Sequence, residues 1–320
     1  MARRTGSHHW HTQNFLRHPA LARALIDRAQ LTAADLVYEI GAGTGTITAA
    51  LAERCRAVIA NEIDGPLCEA LRRRFADQPN VHVRCGDFLG EPLPRDRYKV
   101  FANPPFDITA AIVTRLAGAA QQPEDTFLVV QREAAARYSG MPHETLASLL
   151  LKPFFTPSLV HEFRREDFVP TPTVEVVMLR LRKRGPPLIS GADAQAYRDL
   201  VVTGLTAWTP TLGAALGQVF GPRPASRVIR AVGLDPALRP SAVPFSMWLD
   251  LFAAFRGMPD VLQSRVAGAE ARLRRQQAHL QKQHRTRAPR DALGSGTRRV
   301  STGSASEAAA QPGPPAMLFR

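Results

Sequence analysis

The chain reads Leu36-Val37-Tyr38-Glu39-Ile40-Gly41-Ala42-Gly43-Thr44-Gly45, an apolar run of strand-like composition that ends in three closely spaced glycines. A run with helical spacing follows at residues 47–54. Glycines in such a strand-to-helix turn let the backbone pass close to a ligand, because no Cβ stands in the way. The spacing is GxGxG, which departs from the GxGxxG of dinucleotide-binding turns. By itself this turn is also compatible with a purely structural role.

Strands and helices alternate on both sides of this unit. The predicted strands after the first span residues 56–62, 81–85, 99–102 and 126–130, and the predicted helices span 19–29, 64–75 and 108–116. Two further strands, at residues 159–163 and 174–181, are expected to form an antiparallel edge. This alternation predicts an α/β fold with a doubly wound, mainly parallel, Rossmann-like sheet covered on both faces.

The organisation changes after the Lys183-Arg184-Gly185-Pro186-Pro187 break. Helical patterns at residues 194–205, 210–219, 225–232 and 245–255 predict a small C-terminal all-α domain. We therefore divide the chain into a basic N-terminal arm (1–17), a sheet domain (18–184), a helical domain (185–257) and a basic, largely disordered tail (258–320). Within that tail, residues 265–285 are compatible with a basic helix, and disorder is expected beyond Arg287.

The charge is unusually positive and unevenly distributed. The 320 residues carry 41 Lys and Arg against 28 Asp and Glu, a net charge of +13. Residues 264–320 hold 11 basic and three acidic residues, a net of +8, which leaves +5 on the first 263 residues. Such a surface favours a polyanion, and nucleic acid is the first candidate. The alternative for the tail is a solvated element that promotes solubility.

Cysteine and histidine positions favour a cytoplasmic protein without metal. Cys55, Cys68 and Cys85 form no CxxC pair and no zinc-type cluster, so we expect reduced thiols. The start of the chain has no apolar segment of a secretion signal, and no run is long enough to span a membrane. Three histidines in the arm, His8, His9 and His11, are interpreted as a polar arm rather than a metal site.

Two carboxylates follow the next two predicted strands. Glu62 ends the second strand, where an acid is well placed to accept both hydroxyls of a ribose. Asp87 follows the third strand in Gly86-Asp87-Phe88, where it could accept from an adenine amino group. Either residue alone would fit a surface acid or a structural turn. Three successive strand ends that carry GxG, Glu and Asp favour an adenosine-binding site.

The fourth strand ends in Asn103-Pro104-Pro105-Phe106, the most specific pattern in the chain. The exocyclic amine of adenine is a poor nucleophile because its lone pair is delocalised into the ring. The Asn103 side-chain carbonyl and the Pro104 backbone carbonyl could accept both amine hydrogens and direct the lone pair at an electrophilic methyl. The prolines stiffen this backbone, and Phe106 offers a face on which a base could stack. The rate gain would come from positioning and electrostatics.

Taken together, these motifs resemble the Erm family of ribosomal RNA adenine N6-methyltransferases, which confer macrolide resistance and are related to the small-subunit adenine dimethyltransferases. The resemblance covers about residues 10–256. It rests on Gln13-Asn14-Phe15-Leu16, residues 39–45, Asn61-Glu62-Ile63-Asp64, Gly86-Asp87-Phe88, Asn103-Pro104-Pro105-Phe106, and Phe168-Val169-Pro170-Thr171-Pro172-Thr173-Val174. It implies a methyltransferase domain at 18–184 and S-adenosyl-L-methionine as methyl donor.

The resemblance also implies roles for individual residues. The implied donor-binding residues are Asn14 and Leu16 at the methionine end, Gly41 and Gly43 beside the donor, Glu62 at the ribose, Asp87 at the adenine and Asn103 near the methyl. Asn103, Pro104 and Phe106 would be catalytic, and no metal is implied. Pro104 and Phe106 replace the aliphatic residue and the Tyr usual in the family, so the number of methyls added stays open.

The implied partner is 23S rRNA, met before the ribosome is fully assembled, and the protein is expected to be a monomer. The helical domain, the arms and two groups of basic residues would contact phosphates: Arg164, Arg165, Arg180, Arg182, Lys183 and Arg184 near the domain junction, and Arg223, Arg227 and Arg230 in the helical domain. Two alternatives remain. One is an adenine methyltransferase acting on small-subunit rRNA or on DNA, and the other is a catalytically silent nucleic-acid-binding factor of the same fold.

Overall fold

A computed structural model of the chain describes residues 15–286, with side chains described as far as His279. The predicted donor-site residue Asn14 and the histidines of the arm lie outside these residues. The strands are β1 (Phe15–Leu16), β2 (Leu36–Ile40), β3 (Ala57–Glu62), β4 (Val81–Cys85), β5 (Lys99–Ala102), β6 (Asp125–Gln131), β7 (Phe155–Glu162), β8 (Phe168–Val169) and β9 (Val176–Lys183).

Helices connect and cover these strands. They are α1 (Pro19–Arg28), α2 (Thr46–Arg54), α3 (Gly65–Arg74), α4 (Thr109–Ala117), α5 (Arg132–Ser139), α6 (Leu146–Leu151), α7 (Ala194–Thr206), α8 (Leu212–Phe220), α9 (Pro222–Ala231), α10 (Phe245–Arg256), α11 (Asp260–Gln263) and α12 (Ala269–Thr286). Between residues 15 and 286, no helix is both long and apolar enough to span a bilayer.

The main sheet has seven strands in the order β4-β3-β2-β5-β6-β9-β7. The pairs from β4 to β6 are parallel, whereas β9 is antiparallel to both β6 and β7. The predicted antiparallel edge is therefore confirmed, with β9 inserted between the parallel strands and β7. The second sheet pairs only β1 with β8.

Both faces of the main sheet are buried, as the apolar strands predict. Along β6, Phe127 and Val129 pack with α1, α2 and α3 on one face, while Leu128 and Val130 pack with α4 and α5 on the other. Successive side chains of a strand point to opposite faces, so a continuous apolar run is what a sheet buried on both sides requires. The doubly wound α/β class is confirmed.

The order of the strands reverses at β2. The chain leaves β2 for β3 and β4 on one side, and then returns to the other side of β2 through β5 and β6. Crossover connections diverge at such a reversal and leave a crevice beyond the carboxyl ends of the two central strands. The glycine turn follows β2 and the Asn-Pro-Pro-Phe segment follows β5, so the fold brings the two motifs to this crevice.

The helical domain packs directly on the sheet domain. Its core contains Trp248, Leu200 and Phe252 and also includes Leu146 and Leu149 of α6. The buried Tyr197 hydroxyl donates to the Leu149 carbonyl at 2.9 Å. Glu144 N–H donates to the Ser241 carbonyl at 2.8 Å, a second bond across the junction. Shared apolar burial and hydrogen bonds therefore fasten α7 and α10 to α6.

The helical packing extends past residue 257, where the sequence analysis ended this domain. Met258, Val266 and Ala269 are all buried in the helical core, and α12 begins at Ala269. The richness of residues 258–320 in Arg, Gln, Ser, Gly and Ala predicts a tail. Its few apolar residues are nevertheless spaced so that they reach the core. The proposed 258–320 tail therefore begins later than predicted.

The expectation of three reduced thiols is wrong for one pair. Cys68 of α3 and Cys85 at the end of β4 form a disulfide, with Cα atoms 5.7 Å apart, and Cys55 is a buried free cysteine. The two residues are 17 positions apart, a separation that gives no disulfide pattern in the sequence. They meet because α3 packs back against β4, the strand that follows it.

Candidate active site

The glycine turn and the Asn-Pro-Pro-Phe segment lie against each other at the strand-order reversal. Ile40 and Ala102 are register partners at the ends of β2 and β5. A Cβ added to Gly41 would lie 3.8 Å from the backbone oxygen of Asn103. Gly41 has a φ of +75°, which a glycine adopts without strain. The chain thus approaches Asn103 closely at the point where the donor is expected.

The end of the N-terminal arm closes one side of this crevice. Phe15 and Leu16 pair antiparallel with Val169 and Phe168. A Cβ on Gly43 would lie 2.8 Å from the ring of Phe15, so the ring packs on bare backbone. A pocket at this place is lined by Phe15, Leu16, Gly41, Ala42, Thr44, Thr46, Ile47 and Asn103. Three of the predicted site residues, Leu16, Gly41 and Asn103, therefore share one pocket.

Glu62 lies immediately beside the glycine turn and is 1% exposed. Its Oε2 accepts from Gly43 N–H at 2.7 Å, and its Oε1 accepts from Asp64 N–H at 2.9 Å. A carboxylate offers about four acceptor positions, so these bonds leave capacity for two hydroxyl donors. The backbone bonds also fix the orientation of the carboxylate.

Asp87 sits on an exposed turn after β4. Its Oδ1 accepts from Leu89 N–H at 2.9 Å, which shapes the turn. Arg115 of α4 reaches this turn from the far side of the crevice and donates to the Leu89 carbonyl at 2.5 Å and to the Glu91 carbonyl. The turn that carries Asp87 is therefore held by the helix that follows the Asn-Pro-Pro-Phe segment.

Asn61 connects three of these strand ends, a role that the sequence analysis did not assign. Its backbone carbonyl accepts from Gly41 and Ala42 N–H groups at 2.9 and 3.0 Å. Its side-chain amide donates to the Gly86 carbonyl at 3.1 Å. Its place before Glu62 in a strand-end motif was the available signal. The role of Arg115 has no signal in the sequence, because its side chain bonds to backbone carbonyls that are 24 and 26 positions away.

The Asn-Pro-Pro-Phe segment itself is held in a partly covered position. Pro104 is buried, Asn103 and Phe106 are half-buried, and Phe106 begins a single 3-10 turn over Phe106–Ile108. Phe106 also packs against the apolar cluster on the α1 side of the sheet. One part of the ring is therefore anchored, while the rest remains accessible to a partner.

Glu39 is a buried acid beneath the glycine turn. It is 1% exposed, and its Oε2 accepts from the Thr48 hydroxyl at 2.6 Å. Burial raises its pKa to about 8, and the nearby charge of Glu62 acts in the same direction. The Thr48 bond opposes this rise without cancelling it. Glu39 is therefore largely protonated at neutral pH.

No group of three or more His, Cys, Asp or Glu residues suited to a metal ion occurs in the part of the chain that the structure describes. The candidate site is made of the glycine backbone at Gly41 and Gly43, the two acids Glu62 and Asp87, and the Asn103 amide. The glycine cradle, the anchored Glu62 carboxylate and the Asp87 turn fit an adenosyl group.

Known proteins resemble this chain in sequence and in fold. The family model described as ribosomal RNA adenine dimethylase matches residues 6–255. The chain belongs to this family. An rRNA adenine N-6-methyltransferase of Streptomyces fradiae is 32% identical over 259 residues, which cover 80% of each chain. A ribosomal RNA small subunit methyltransferase A of Synechococcus sp. (strain JA-3-3Ab) is 32% identical over 250 residues, 75% of this chain and 89% of the relative.

Among solved structures, the 23S rRNA methyltransferase ErmE superimposes with a TM-score of 0.69 at 29% identity. The match covers 75% of this chain and 99% of ErmE. The resemblance to the Erm-type rRNA adenine methyltransferases and the prediction of a Rossmann-like methyltransferase fold are confirmed. Membership of the family makes the chain a methyltransferase and implies S-adenosylmethionine as methyl donor. The roles of the individual site residues remain predictions.

The raised pKa of Glu39 predicts a pH-dependent stability of this methyltransferase. Between pH 4.5 and about 8 the folded state keeps a proton that the unfolded state has lost, so stability falls as pH rises. Glu39→Gln should remove a dependence of up to about 1.4 kcal/mol per pH unit. Urea unfolding at pH 5, 6, 7 and 8 measures it. The exposed Glu69→Gln should keep the pH dependence of the parent, and parallel curves for all three proteins would contradict the assignment.

The close approach of Phe15 to Gly43 predicts a selective effect on donor binding. Gly43 has a φ of +57°, and an added Cβ would meet the Phe15 ring at 2.8 Å. Gly43→Ala should weaken S-adenosylmethionine binding about tenfold, which corresponds to about 1.4 kcal/mol. Gly65→Ala is the control, since its Cβ would meet nothing within 4 Å. Equal affinities of the two variants in titration calorimetry would show that this contact does not shape the pocket.

Proposed function

We propose that this chain transfers methyl groups from S-adenosylmethionine to N6 of an adenine in 23S rRNA, and so confers resistance to macrolide-type antibiotics. One observation carries the proposal. The glycine turn after β2 lies against Asn103 after β5, with the Gly41 Cβ position 3.8 Å from the Asn103 backbone oxygen. A donor cradle and an amine-binding segment that share one crevice are what methyl transfer to a base requires.

The donor half of the site would use the glycine turn, the acids that follow the next two strands, and the end of the N-terminal arm. Gly41 and Gly43 would leave room beside the donor, and Glu62 would accept the ribose hydroxyls with the lone pairs that its two backbone bonds leave. Asp87 would receive the adenine amino group, and Leu16 would cover the methionine end together with Asn14. When bound, S-adenosylmethionine supplies an electrophilic methyl on sulfonium sulfur.

The acceptor half would activate the target amine without a general base. The Asn103 side-chain carbonyl and the Pro104 backbone carbonyl would each accept one N6–H, which localises the nitrogen lone pair. Transfer would form the N–C bond as the C–S bond breaks and would release S-adenosylhomocysteine. The positively charged nitrogen would then lose its proton to water, so no general base is needed before transfer. Phe106 would stack on the adenine. Fixed dipoles and correct placement supply the rate gain.

The RNA would be held by exposed basic side chains. Arg164, Arg165 and Arg182 are exposed near the domain junction. Arg180, predicted with them, instead forms two bonds of 2.7 and 2.9 Å to buried Asp125 and stabilises the pairing of β6 and β9. Phosphate contacts of this kind give affinity and salt sensitivity rather than sequence choice.

Arg223, Arg227 and Arg230 form a second basic group. They follow one another at helical spacing on the exposed side of α9, opposite buried Val228 and Ile229.

The target adenine must leave its stack to reach Asn103, which costs less in a loop than in a duplex. We therefore place the reaction on 23S rRNA that is not yet packed into a complete ribosome, in the cytoplasm, with the enzyme as a monomer.

The alternative substrate is small-subunit rRNA. The relative named ribosomal RNA small subunit methyltransferase A is as similar to this chain, at 32%, as the Streptomyces fradiae rRNA adenine N-6-methyltransferase. We favour the large subunit because the chain follows the Erm motif pattern, and because the 23S rRNA methyltransferase ErmE superimposes on it with a TM-score of 0.69 at 29% identity. A silent RNA-binding factor is less favoured, since the sequence contains every residue expected of the donor site, among them Gly41, Glu62 and Asn103.

Methyl labelling of purified RNA tests the substrate. The protein and tritiated S-adenosylmethionine should label protein-free 23S rRNA at one adenine and leave 16S rRNA and DNA unlabelled. Mass spectrometry of the digested RNA then counts the methyls. A susceptible bacterium that expresses the chain should become less sensitive to macrolides. Label on 16S rRNA alone would establish the alternative substrate, and tight RNA binding without any label would favour the silent factor.

Phe106 provides a matched test of base stacking. Phe106→Leu keeps an apolar side chain but removes the ring face, and should lower kcat/KM for RNA about tenfold or more, as expected from about 1–3 kcal/mol per stacked base. Phe106→Tyr keeps the face and should retain near-parent activity. Donor affinity should be the same in both variants. If the Leu variant is as active as the Tyr variant, the ring does not contact the base.

A further inference from the structure

Helix α12 lies beyond the family match, which ends at residue 255, yet it is built firmly into the helical domain. Val266, three residues before the helix, and Ala269, its first residue, are buried in the helical core, and Leu273 packs against that core one turn later. The Arg265 side chain donates to the Val219 carbonyl at 3.0 Å and ties the preceding loop to α8. α12 is therefore an addition that shares the domain's core.

A buried carboxylate fixes the direction of α12. Asp199 of α7 is 4% exposed, and its Oδ1 accepts from Glu270 N–H at 2.8 Å while Oδ2 accepts from Gly268 N–H at 2.9 Å. The first N–H groups of a helix have no partner within the helix, and a negative charge at that end is favourable. Asp199 thus caps α12 from a neighbouring helix, so the start of α12 is folded and oriented before any ligand arrives.

The one acid of α12, Glu270, is paired with two arginines. Glu270 is 8% exposed, and it accepts from Arg198 Nε at 3.1 Å and from Arg274 Nη2 at 2.6 Å. The remaining charges in the 18 residues are all positive: Arg272, Arg274, Arg275, Lys282 and Arg285. No exposed acid on this helix therefore offsets its positive charge.

The described outer surface of α12 is polar and basic. Arg272 and Arg275 are exposed and three residues apart, next to exposed Gln276 and His279. Leu273 points its apolar surface at the helical core, so it is not available to a lipid bilayer. A helix of this length extends about 27 Å, enough to follow several phosphates of an RNA strand. Its chemistry fits a phosphate backbone.

We propose that α12 is a preformed RNA-binding arm that contacts the phosphate backbone of the rRNA substrate outside the catalytic crevice. The proposal rests on the proposed function, because it concerns the same substrate. It adds an RNA contact surface that the residues matching the family do not contain. The arm would contribute affinity and salt dependence, while the choice of adenine stays with the Asn103 segment.

Paired charge-neutralising variants of the full chain test the arm. Arg272→Gln with Arg275→Gln removes two exposed charges from α12. Arg56→Gln with Arg95→Gln removes two exposed charges that precede β3 and β5, at the end of the sheet opposite the crevice. Truncation at residue 257 is unsuitable, because it would remove Met258, Val266 and Ala269 from the core. Circular dichroism and S-adenosylmethionine binding check that both double variants are folded.

The α12 double variant should bind 23S rRNA several-fold more weakly at 0.1 M KCl. The slope of log K against log salt should decrease by about 0.7–0.9 for each lost phosphate contact. The control variant should keep the affinity and slope of the parent. Equal effects in the two double variants, or no effect in either, would contradict the proposal that α12 binds RNA. So would a loss of binding to phosphatidylserine vesicles with RNA affinity unchanged, because that would assign α12 to membranes.

The parent protein separates the two proposals. If it methylates no rRNA but the α12 variant still loses RNA affinity, the proposed reaction has failed while the binding arm stands. If it methylates 23S rRNA and the α12 variant binds that RNA as the parent does, the reaction stands and the arm is wrong.

Discussion

The backbone carbonyl of Asn61 is the constraint on which the site depends. It accepts two N–H groups from the glycine turn, Gly41 and Ala42, and so holds the end of β2 beside the end of β3. The Asn61 side chain extends the same restraint to Gly86 at the end of β4. Three loops that follow neighbouring strands are thereby tied to one another. A nucleoside pocket can form only where such loops keep their spacing.

The burial of two acids beneath the glycine turn determines the charge there. Glu39 and Glu62 are both buried: Glu39 lies two residues before Gly41, and Glu62 accepts from the Gly43 N–H. Glu62 compensates its burial with two backbone N–H donors, whereas Glu39 has one hydroxyl donor and a pKa raised to about 8. Glu39 is thus kept largely protonated beneath the turn at neutral pH, while Glu62 is held in place by the backbone.

The helical domain is held to the sheet domain through shared structure rather than through a flexible linker. α6 contributes Leu146 and Leu149 to the helical core, and the Tyr197 hydroxyl bonds to the Leu149 carbonyl. α9, which exposes Arg223, Arg227 and Arg230, packs on that same core through Val228 and Ile229. The start of α12, which Asp199 caps, packs on it as well. The positive charge of both helices is thus carried on a core that packs against the sheet domain.

The sequence by itself determined the alternation of strands and helices, the glycine turn, and the Asn-Pro-Pro-Phe segment at a strand end. These depend on local periodicity and on residues with special backbone geometry, so short segments reveal them. Tertiary structure alone decided that Arg180 pairs with Asp125, that Cys68 meets Cys85, and that Asp199 caps α12. Each of those contacts joins residues 17 or more positions apart. Their existence depends on how helices and strands pack, which local sequence patterns do not encode.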